Sequence, residues 1–322
     1  MKLHVNGLRN LIETEARSVG RKIYSTLFSQ PDSFNPLFSP SENTELLTPD
    51  VDEEGYWAGG PSPFYDEDTD EVYVYYRLRD PYRRGWKAVI AKVKDGEELE
   101  EVASFYSEEF LAHSLEGGAL NREDGEYVLY ISYHERGSGL WKIDKITANE
   151  IESLKSENSE ELDISSEKTH MKDPFIHNGE LIVHTASKNF FSHSNVRVKE
   201  RGNNLVTEDI KFKRGKAGGR VTSILEKDEE EFYFYDWIPS IIFTGEEKSR
   251  IGRMTEDGIE ALNHDSTMSS EHGTQSLRYV KPVEVDEEIW FFYEKSMPGK
   301  GHALALDKME KEKALALLGK IR

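Results

Sequence analysis

The stretch Glu71-Val72-Tyr73-Val74-Tyr75-Tyr76-Arg77 is the first of five copies of one pattern, in which a glutamate opens an alternating or aromatic-rich strand. A turn rich in Asp, Glu, Asn or Gly precedes each copy, and another short apolar strand precedes the turn. The starts of successive copies are separated by 55, 54, 51 and 57 residues. The other four copies are Glu126-Tyr127-Val128-Leu129-Tyr130-Ile131-Ser132, Glu180-Leu181-Ile182-Val183-His184-Thr185-Ala186, Glu231-Phe232-Tyr233-Phe234-Tyr235-Asp236-Trp237 and Glu288-Ile289-Trp290-Phe291-Phe292-Tyr293-Glu294.

A further strand follows in three copies, where Gly85, Gly139 and Gly301 come 14, 13 and 13 residues after the glutamate. Each repeat therefore supplies an inner strand, a middle strand, a third strand and room for a fourth. Four-stranded units repeated around an axis are typical of propeller blades. The sequence predicts an all-β, five-bladed β-propeller with short N- and C-terminal helices. A β-sandwich is the alternative, but it does not account for five near-equal intervals.

The repeats divide the chain into three parts. Residues 1–56 are expected to contain a helix over about 8–28 and an extended, proline-containing connection that helps to close the ring. Residues 57–306 form the propeller. Residues 307–322 form a C-terminal helix, with helical spacing from Lys308 to Leu318.

Composition excludes several classes of partner. The 61 acidic and 41 basic residues give a net charge of −20, which argues against binding to nucleic acid. The acidity fits either a salty cytoplasm or an ordinary soluble enzyme.

Cysteine is absent, so no disulfide framework is expected. No signal peptide and no membrane-spanning stretch is recognised, which predicts a cytoplasmic protein with no membrane partner. The oligomeric state stays open.

The start of each inner strand opens at one face of a propeller, so its side chains converge on the central channel. These starts lie at residues 57–63, 113–118, 170–174, 219–223 and 275–279.

Two strings within these starts resemble a known superfamily. They are Lys172-Asp173-Pro174, and Gly60-Pro61-Ser62-Pro63 followed by Tyr73-Val74-Tyr75-Tyr76-Arg77. They look like the five-bladed propeller glycosidases: the arabinanase and β-xylosidase group, the invertase group and the mannoside phosphorylases. The resemblance covers residues 57–306, and the order and spacing of short motifs carry it.

The resemblance implies a carboxylate at the start of each inner strand in blades one, two and three. Glu116 and Asp173 match blades two and three, whereas Gly59 and Gly60 replace the blade-one acid. Cleavage of a glycosidic bond needs an acid to protonate the leaving oxygen and a second carboxylate as base or nucleophile. The departure in blade one leaves hydrolysis, phosphorolysis and saccharide binding without catalysis as open alternatives. Asp236 is a third catalytic candidate, or else a solvated strand end.

Basic residues at the same positions indicate an anionic ligand, such as phosphate, a uronic acid or a sulfated sugar. Alternatively, each arginine pairs with a neighbouring acid, as Arg278 could with Glu294. Aromatic and histidine side chains could contact a sugar, although isolated aromatics are more often part of the core. The candidate binding residues are Trp57, Arg77, Arg79, Lys172, Arg220, Arg278, Tyr279, Glu294 and His302.

No metal-ligand spacing and no cofactor motif is present, so no metal and no cofactor is predicted. The favoured hypothesis is an enzyme that acts on a glycosidic bond of a saccharide or sugar phosphate within the channel. A non-catalytic carbohydrate-binding propeller and a protein-interaction scaffold are the alternatives.

Overall fold

The protein, a computed structural model, is described over residues 37–40, 42–162, 164, 169–187, 193–201, 204–213, 219–237, 247–262 and 267–321. The helix predicted over residues 8–28 lies outside these ranges. Twenty strands dominate the described chain, and they form five antiparallel units of four. Below, unit 1 to unit 5 denote these groups.

Each unit has the same order of inner, second, third and fourth strand. Units 1 and 2 are β2 (Trp57–Asp66), β3 (Glu71–Arg79), β4 (Lys87–Lys94), β5 (Glu98–Tyr106), and β6 (Ala112–Glu123), β7 (Glu126–Glu135), β8 (Trp141–Ala148), β9 (Ser159–Glu161). Units 3 and 4 are β10 (Thr169–His177), β11 (Glu180–Ser187), β12 (His193–Arg201), β13 (Asn204–Ile210), and β14 (Arg220–Lys227), β15 (Glu230–Trp237), β16 (Lys248–Thr255), β17 (Gly258–Ala261). Unit 5 is β18 (Leu277–Val285), β19 (Glu288–Ser296), β20 (His302–Glu310) and β1 (Thr44–Leu47).

Unit 5 takes its fourth strand from the part of the chain that precedes unit 1. Strand β1 pairs antiparallel with β20, from the partners Thr44 and Leu306 onward. Single parallel pairings join β16 to β18 and β2 to β20, so that units 4, 5 and 1 form one twelve-stranded sheet. Units 2 and 3 are separate four-stranded sheets.

The five glutamate-led segments form the second strand of each unit, as their aromatic and β-branched content predicted. These strands are buried on both faces because each lies between two neighbouring units. Tyr75 of unit 1, for example, packs in one core cluster with Leu115 and Leu129 of unit 2. Layers of apolar side chains between successive units therefore stabilise the fold.

One helix, α1, spans Lys311–Leu318. It begins three residues later than the helical spacing indicated, because Lys308 and Glu310 belong to the end of β20. Ala314 and Leu318 are its buried residues. Two short 3-10 turns, Ile151–Ser153 and Ser156–Asn158, precede β9. No helix within the described ranges is long and apolar enough to cross a membrane.

Candidate active site

A bulge interrupts the inner strand of every unit at the same place. The register shifts between Gly59 and Ser62 in β2, and equivalent shifts occur in the inner strands of the other four units. A bulge turns side chains that would otherwise lie on the sheet face. The residues displaced in this way are Gly60-Pro61, Glu116-Gly117, Asp173-Pro174, Thr222 and Tyr279-Val280.

The backbone at three of these bulges lies in the left-handed region. Gly60 has a φ of 65°, Asp173 of 52° and Tyr279 of 55°. Glycine adopts this conformation without strain, whereas aspartate and especially tyrosine do so at a cost. Such strain persists where the surroundings hold the residue, and it is concentrated at functional sites.

Glu116 is buried and forms ion pairs with two arginines. Its Oε2 lies 2.9 Å from Arg77 Nε, and its Oε1 lies 3.3 Å from Arg84 Nη2. Burial by itself would raise the pKa of Glu116, but Arg77, Arg84 and Lys172 together lower it to about 2. The Arg84 side chain is 30% exposed, which makes it the more accessible of the two arginine partners.

Asp173 lies next to Glu116, on the inner strand of the following unit. The backbone N–H of Gly117 donates to Asp173 Oδ1 at 3.3 Å. Asp173 Oδ2 lies 3.2 Å from Lys172 Nζ and 3.1 Å from Arg220 Nη1. Although burial raises the pKa of Asp173, these two cations hold it well below its usual range. Both carboxylates are therefore ionised at neutral pH.

Arg220 joins Asp173 to two further buried carboxylates. Its Nη2 donates to Asp236 Oδ2 at 2.6 Å and to Glu247 Oε2 at 3.0 Å. The other oxygen of Asp236 accepts the Ser249 hydroxyl and the backbone N–H of Tyr279. Asp236 is fully buried, so its interpretation as a solvated strand end was wrong. Burial outweighs Arg220 and raises the pKa of Asp236, whereas Arg220 and Arg278 lower that of Glu247 against the effect of burial.

Glu294 of unit 5 lies against the bulged start of the inner strand of unit 1. Its Oε2 accepts the backbone N–H of Gly60 at 3.0 Å, and a Cβ on Gly59 would lie 2.3 Å from that oxygen. Arg278 and His302 both contact Oε1, at 2.6 Å each. The pairing of Arg278 with Glu294 is the one that the sequence suggested. Despite complete burial, Arg278 and His302 keep the pKa of Glu294 well below its usual range.

The two candidate aromatics pack against arginines. The Tyr279 ring lies 4.0 Å from the Arg220 guanidinium, and Trp57 lies between Arg79 at 4.1 Å and Arg278 at 4.5 Å. Trp57 also stacks on His302, with ring centroids 4.8 Å apart. Both aromatics are buried. They therefore orient the cations, and neither presents an open face to a ligand in this state.

The structure brings all twelve predicted residues into one connected cluster. Sequence reasoning missed Glu247, which bridges Arg220 and Arg278, and Arg84, which contacts Glu116. A signal for Glu247 existed, because Gly245 lies 14 residues after Glu231, at the spacing that marks the third strand elsewhere. No comparable pattern marks Arg84.

The cluster carries a small excess of positive charge. Its six cations are Arg77, Arg79, Arg84, Lys172, Arg220 and Arg278, against the five carboxylates Glu116, Asp173, Asp236, Glu247 and Glu294. With all groups ionised, the cluster has one net positive charge in a protein of net charge −20. Such a site can attract an anion or bind sugar hydroxyls with charged donors and acceptors.

One group of side chains in the described ranges has the spacing of a metal site. It comprises His177, Glu226 and Glu231, at the junction of units 3 and 4. Arg197 already contacts Glu231 at 2.9 Å, and the Asn178 amide donates to Glu226 at 2.6 Å. A nearby guanidinium disfavours a divalent cation, so these residues fit an ion-pair network better than a metal centre.

Solved structures of glycoside hydrolases share this fold. The β-xylosidase RS223 aligns with a TM-score of 0.59 and 11% identity, over 84% of this chain and 95% of that one. The GH43_1 enzyme from Xanthomonas citri complexed with xylotriose gives 0.60 and 10%, over 83% and 90%. A GH43 endo-arabinanase from Bacillus licheniformis gives 0.52 and 13%, over 80% and 96%. No protein-family profile and no curated protein matches the chain.

These alignments confirm the predicted all-β fold and its resemblance to propeller glycoside hydrolases. Only about one residue in ten is identical, so the likeness concerns the fold. The activity must be argued from the side chains themselves.

Proposed function

We propose that the five units close into a five-bladed propeller and that the protein acts on a glycosidic bond of a saccharide at the bulged ends of its inner strands. The observation that carries this proposal is the placement of Glu116 and Asp173 at equivalent bulges of adjacent units, joined through the Gly117 N–H. Two carboxylates side by side in a cation-rich cluster suit glycosidic chemistry. The contribution of β1 to unit 5 supports closure of the ring.

The two carboxylates have different environments and therefore different roles. Asp173, whose pKa Lys172 and Arg220 hold well below its usual range, stays ionised and is the group available to accept a proton from an attacking water. Glu116 is the acid, because part of its low pKa depends on Arg84, the more exposed of its two arginines. A saccharide that displaces Arg84 and excludes water raises the pKa of Glu116 and allows it to carry a proton.

The remaining buried acids hold the cations in place. Asp236 and Glu247 position Arg220, and Glu294 positions Arg278, without exposing an oxygen to a ligand. Arg84 and the 18% exposed Lys172 side chain are the cations available to an incoming group. They favour a saccharide that carries a carboxylate, or phosphate as the attacking group.

A cytoplasmic location and the boundaries 1–56, 57–306 and 307–322 stay predictions.

A second function, saccharide binding without catalysis, is favoured by one observation. Both Glu116 and Asp173 are ionised and ion-paired, and the bulged start of the inner strand of unit 1 offers no acid. If no ligand raises the pKa of Glu116, the site lacks a proton donor and only holds the sugar.

Turnover of 4-nitrophenyl glycosides distinguishes these functions. The panel contains xyloside, arabinofuranoside, mannoside and glucuronide, each with and without inorganic phosphate, alongside calorimetry with the matching oligosaccharides. For a catalytic pair, Asp173→Asn reduces kcat on these substrates by about 10²–10⁴-fold while binding persists. Glu116→Gln does so on the unactivated oligosaccharides, because 4-nitrophenolate leaves without a proton from the acid. Asp66→Asn is the matched control, since Asp66 is buried and hydrogen-bonded to Tyr127 at the far end of β2.

Each outcome has a definite meaning. A strict requirement for phosphate identifies a phosphorylase, and turnover without phosphate identifies a hydrolase. Binding without turnover selects the second function. The absence of both binding and turnover across neutral and anionic saccharides overturns both.

A further inference from the structure

A cavity of about 260 Å³ lies along the inner strands, on the other side of the bulges from Glu116 and Asp173. Residues that follow the bulge in all five inner strands line it, including Ser62, Leu120, Phe175, Ile224 and Lys281. The proposed saccharide site does not use this space. Its volume is below the ~300 Å³ at which sites for drug-sized ligands begin, so an occupant has to be small.

Lys281 brings an ammonium group to this cavity. The residue is 6% exposed, and its Nζ donates to Ser62 Oγ at 3.1 Å and to the Pro174 carbonyl at 3.4 Å. Both acceptors are neutral. Among the described residues, no carboxylate oxygen lies within the 4.0 Å of Nζ that defines an ion pair.

The surroundings of Lys281 differ from those of the other buried cations. Arg77, Arg220 and Arg278 each have a carboxylate partner in direct contact. A buried charge without a counter-ion is costly, and proteins normally pair it. Burial lowers the pKa of Lys281 to about 8, against the opposing effect of the more distant carboxylates Asp173 and Asp236. An ammonium that lines a cavity and has no carboxylate in direct contact can bind an anion that enters the cavity.

The rest of the lining restricts the charge and shape of the anion. Phe64, Phe175 and Pro282 form apolar parts of the lining, which suit a short hydrocarbon body, and Asn121 and Ser223 are among its polar parts. Glu67 and Glu284 also line the cavity, and Glu284 is paired with Lys311. Glu67 therefore disfavours a second negative charge near it. The lining therefore selects a single charged group with a short apolar tail.

We infer that this cavity binds a small monovalent anion on the Lys281 ammonium, and that the apolar parts of its lining favour a short-chain monocarboxylate over a halide. The anion would supply a counter-charge in direct contact with the ammonium. Its hydrogen bonds would come from Lys281 and from hydroxyl groups in the lining, such as that of Ser62.

Thermal unfolding of the full chain at constant ionic strength tests the inference. The probes are hexanoate, the neutral hexanamide, the dicarboxylate adipate, and bromide. Hexanoate is expected to raise the Tm by about 4 °C at 100 times its Kd, while hexanamide and adipate leave it unchanged. A shift with bromide but not hexanoate retains the anion site and assigns it to halides.

Lys281→Met tests the ammonium directly, because it keeps the length of the side chain and removes the charge. The variant should lose the response to hexanoate. Lys295→Met is the matched control, since Lys295 is a buried lysine whose Nζ contacts the Glu45 carboxylate at 2.8 Å, and it should keep the response. An equal response in Lys281→Met, or none in the unaltered protein to any anion, overturns the inference.

A crystallographic measurement on the unaltered protein keeps the test decisive if Lys281→Met does not fold. Anomalous scattering from crystals soaked in bromide should place a peak within about 3.5 Å of Lys281 Nζ, the reach of a charge-assisted contact. A cavity that contains neither bromide nor hexanoate in such crystals refutes the assignment.

Discussion

Arg220→Met removes a cation that contacts three buried carboxylates, and it gives the sharpest test of the charge network. Arg220 contacts Asp173 at 3.1 Å, Asp236 at 2.6 Å and Glu247 at 3.0 Å. Methionine keeps most of the apolar stem, so the main loss is electrostatic. Removing one partner of a buried pair costs about 3–5 kcal/mol. This is a large share of a total stability of about 5–15 kcal/mol.

The loss of stability in Arg220→Met should be larger at pH 7 than at pH 5. In the intact protein the pKa values of Asp173 and Glu247 are depressed, so their ionised forms stabilise the fold above the unfolded pKa. That contribution disappears as the pH falls through the folded pKa. Without Arg220, burial dominates and raises the folded pKa values of these groups. The variant is then least stable at pH 7, and its deficit should shrink by at least about 1 kcal/mol at pH 5.

Urea unfolding followed by tryptophan fluorescence at pH 7 and pH 5 measures the loss of unfolding free energy and its change with pH. Arg253→Met is the control, because Arg253 is 48% exposed and pairs with Glu230 at the surface. It should cost no more than about 1 kcal/mol at either pH. A loss below about 1 kcal/mol for Arg220→Met at pH 7, or a deficit that grows at pH 5, would refute the argument.

Three further predictions concern neighbouring positions. Gly59→Ala places a Cβ 2.3 Å from Glu294 and should destabilise the fold by about 3 kcal/mol or more in urea unfolding, whereas Gly137→Ala, with its nearest neighbour 4.0 Å away, should be neutral. Glu116→Gln should flatten the pH dependence of stability, because the pKa of Glu116 near 2 makes its ionised form stabilising above about pH 4.5 and that contribution is lost toward pH 2; an unchanged acid limb contradicts this. Asp173→Ala should lose about 1 kcal/mol more stability than Asp173→Asn, because asparagine tolerates a φ of 52° better than alanine; equal losses would exclude backbone strain there.

The strands could be predicted from the sequence because their signals are local. A glutamate after an acidic turn, followed by aromatic and β-branched residues, specifies a strand wherever it occurs, and each copy forms the second strand of a unit. Repetition implies that equivalent positions converge, which predicts that Glu116, Asp173 and Arg220 lie near one another. The start of α1 was misplaced because the helical spacing from Lys308 competes with pairing to β19, and pairing is a tertiary interaction.

Long-range packing decided the rest. The bulges that turn Asp173 and Tyr279 inward need a neighbouring unit to hold a left-handed backbone, and no local pattern announces them. Glu294 contacts Gly60 of unit 1 from a strand more than 230 residues away in sequence. Its location depends on the absence of a side chain at Gly59. The sequence alone thus determined the strands and twelve of the converging residues, but neither Glu247 nor Arg84. Only the folded chain decided which charges meet, because burial and distance set their pKa values and their partners.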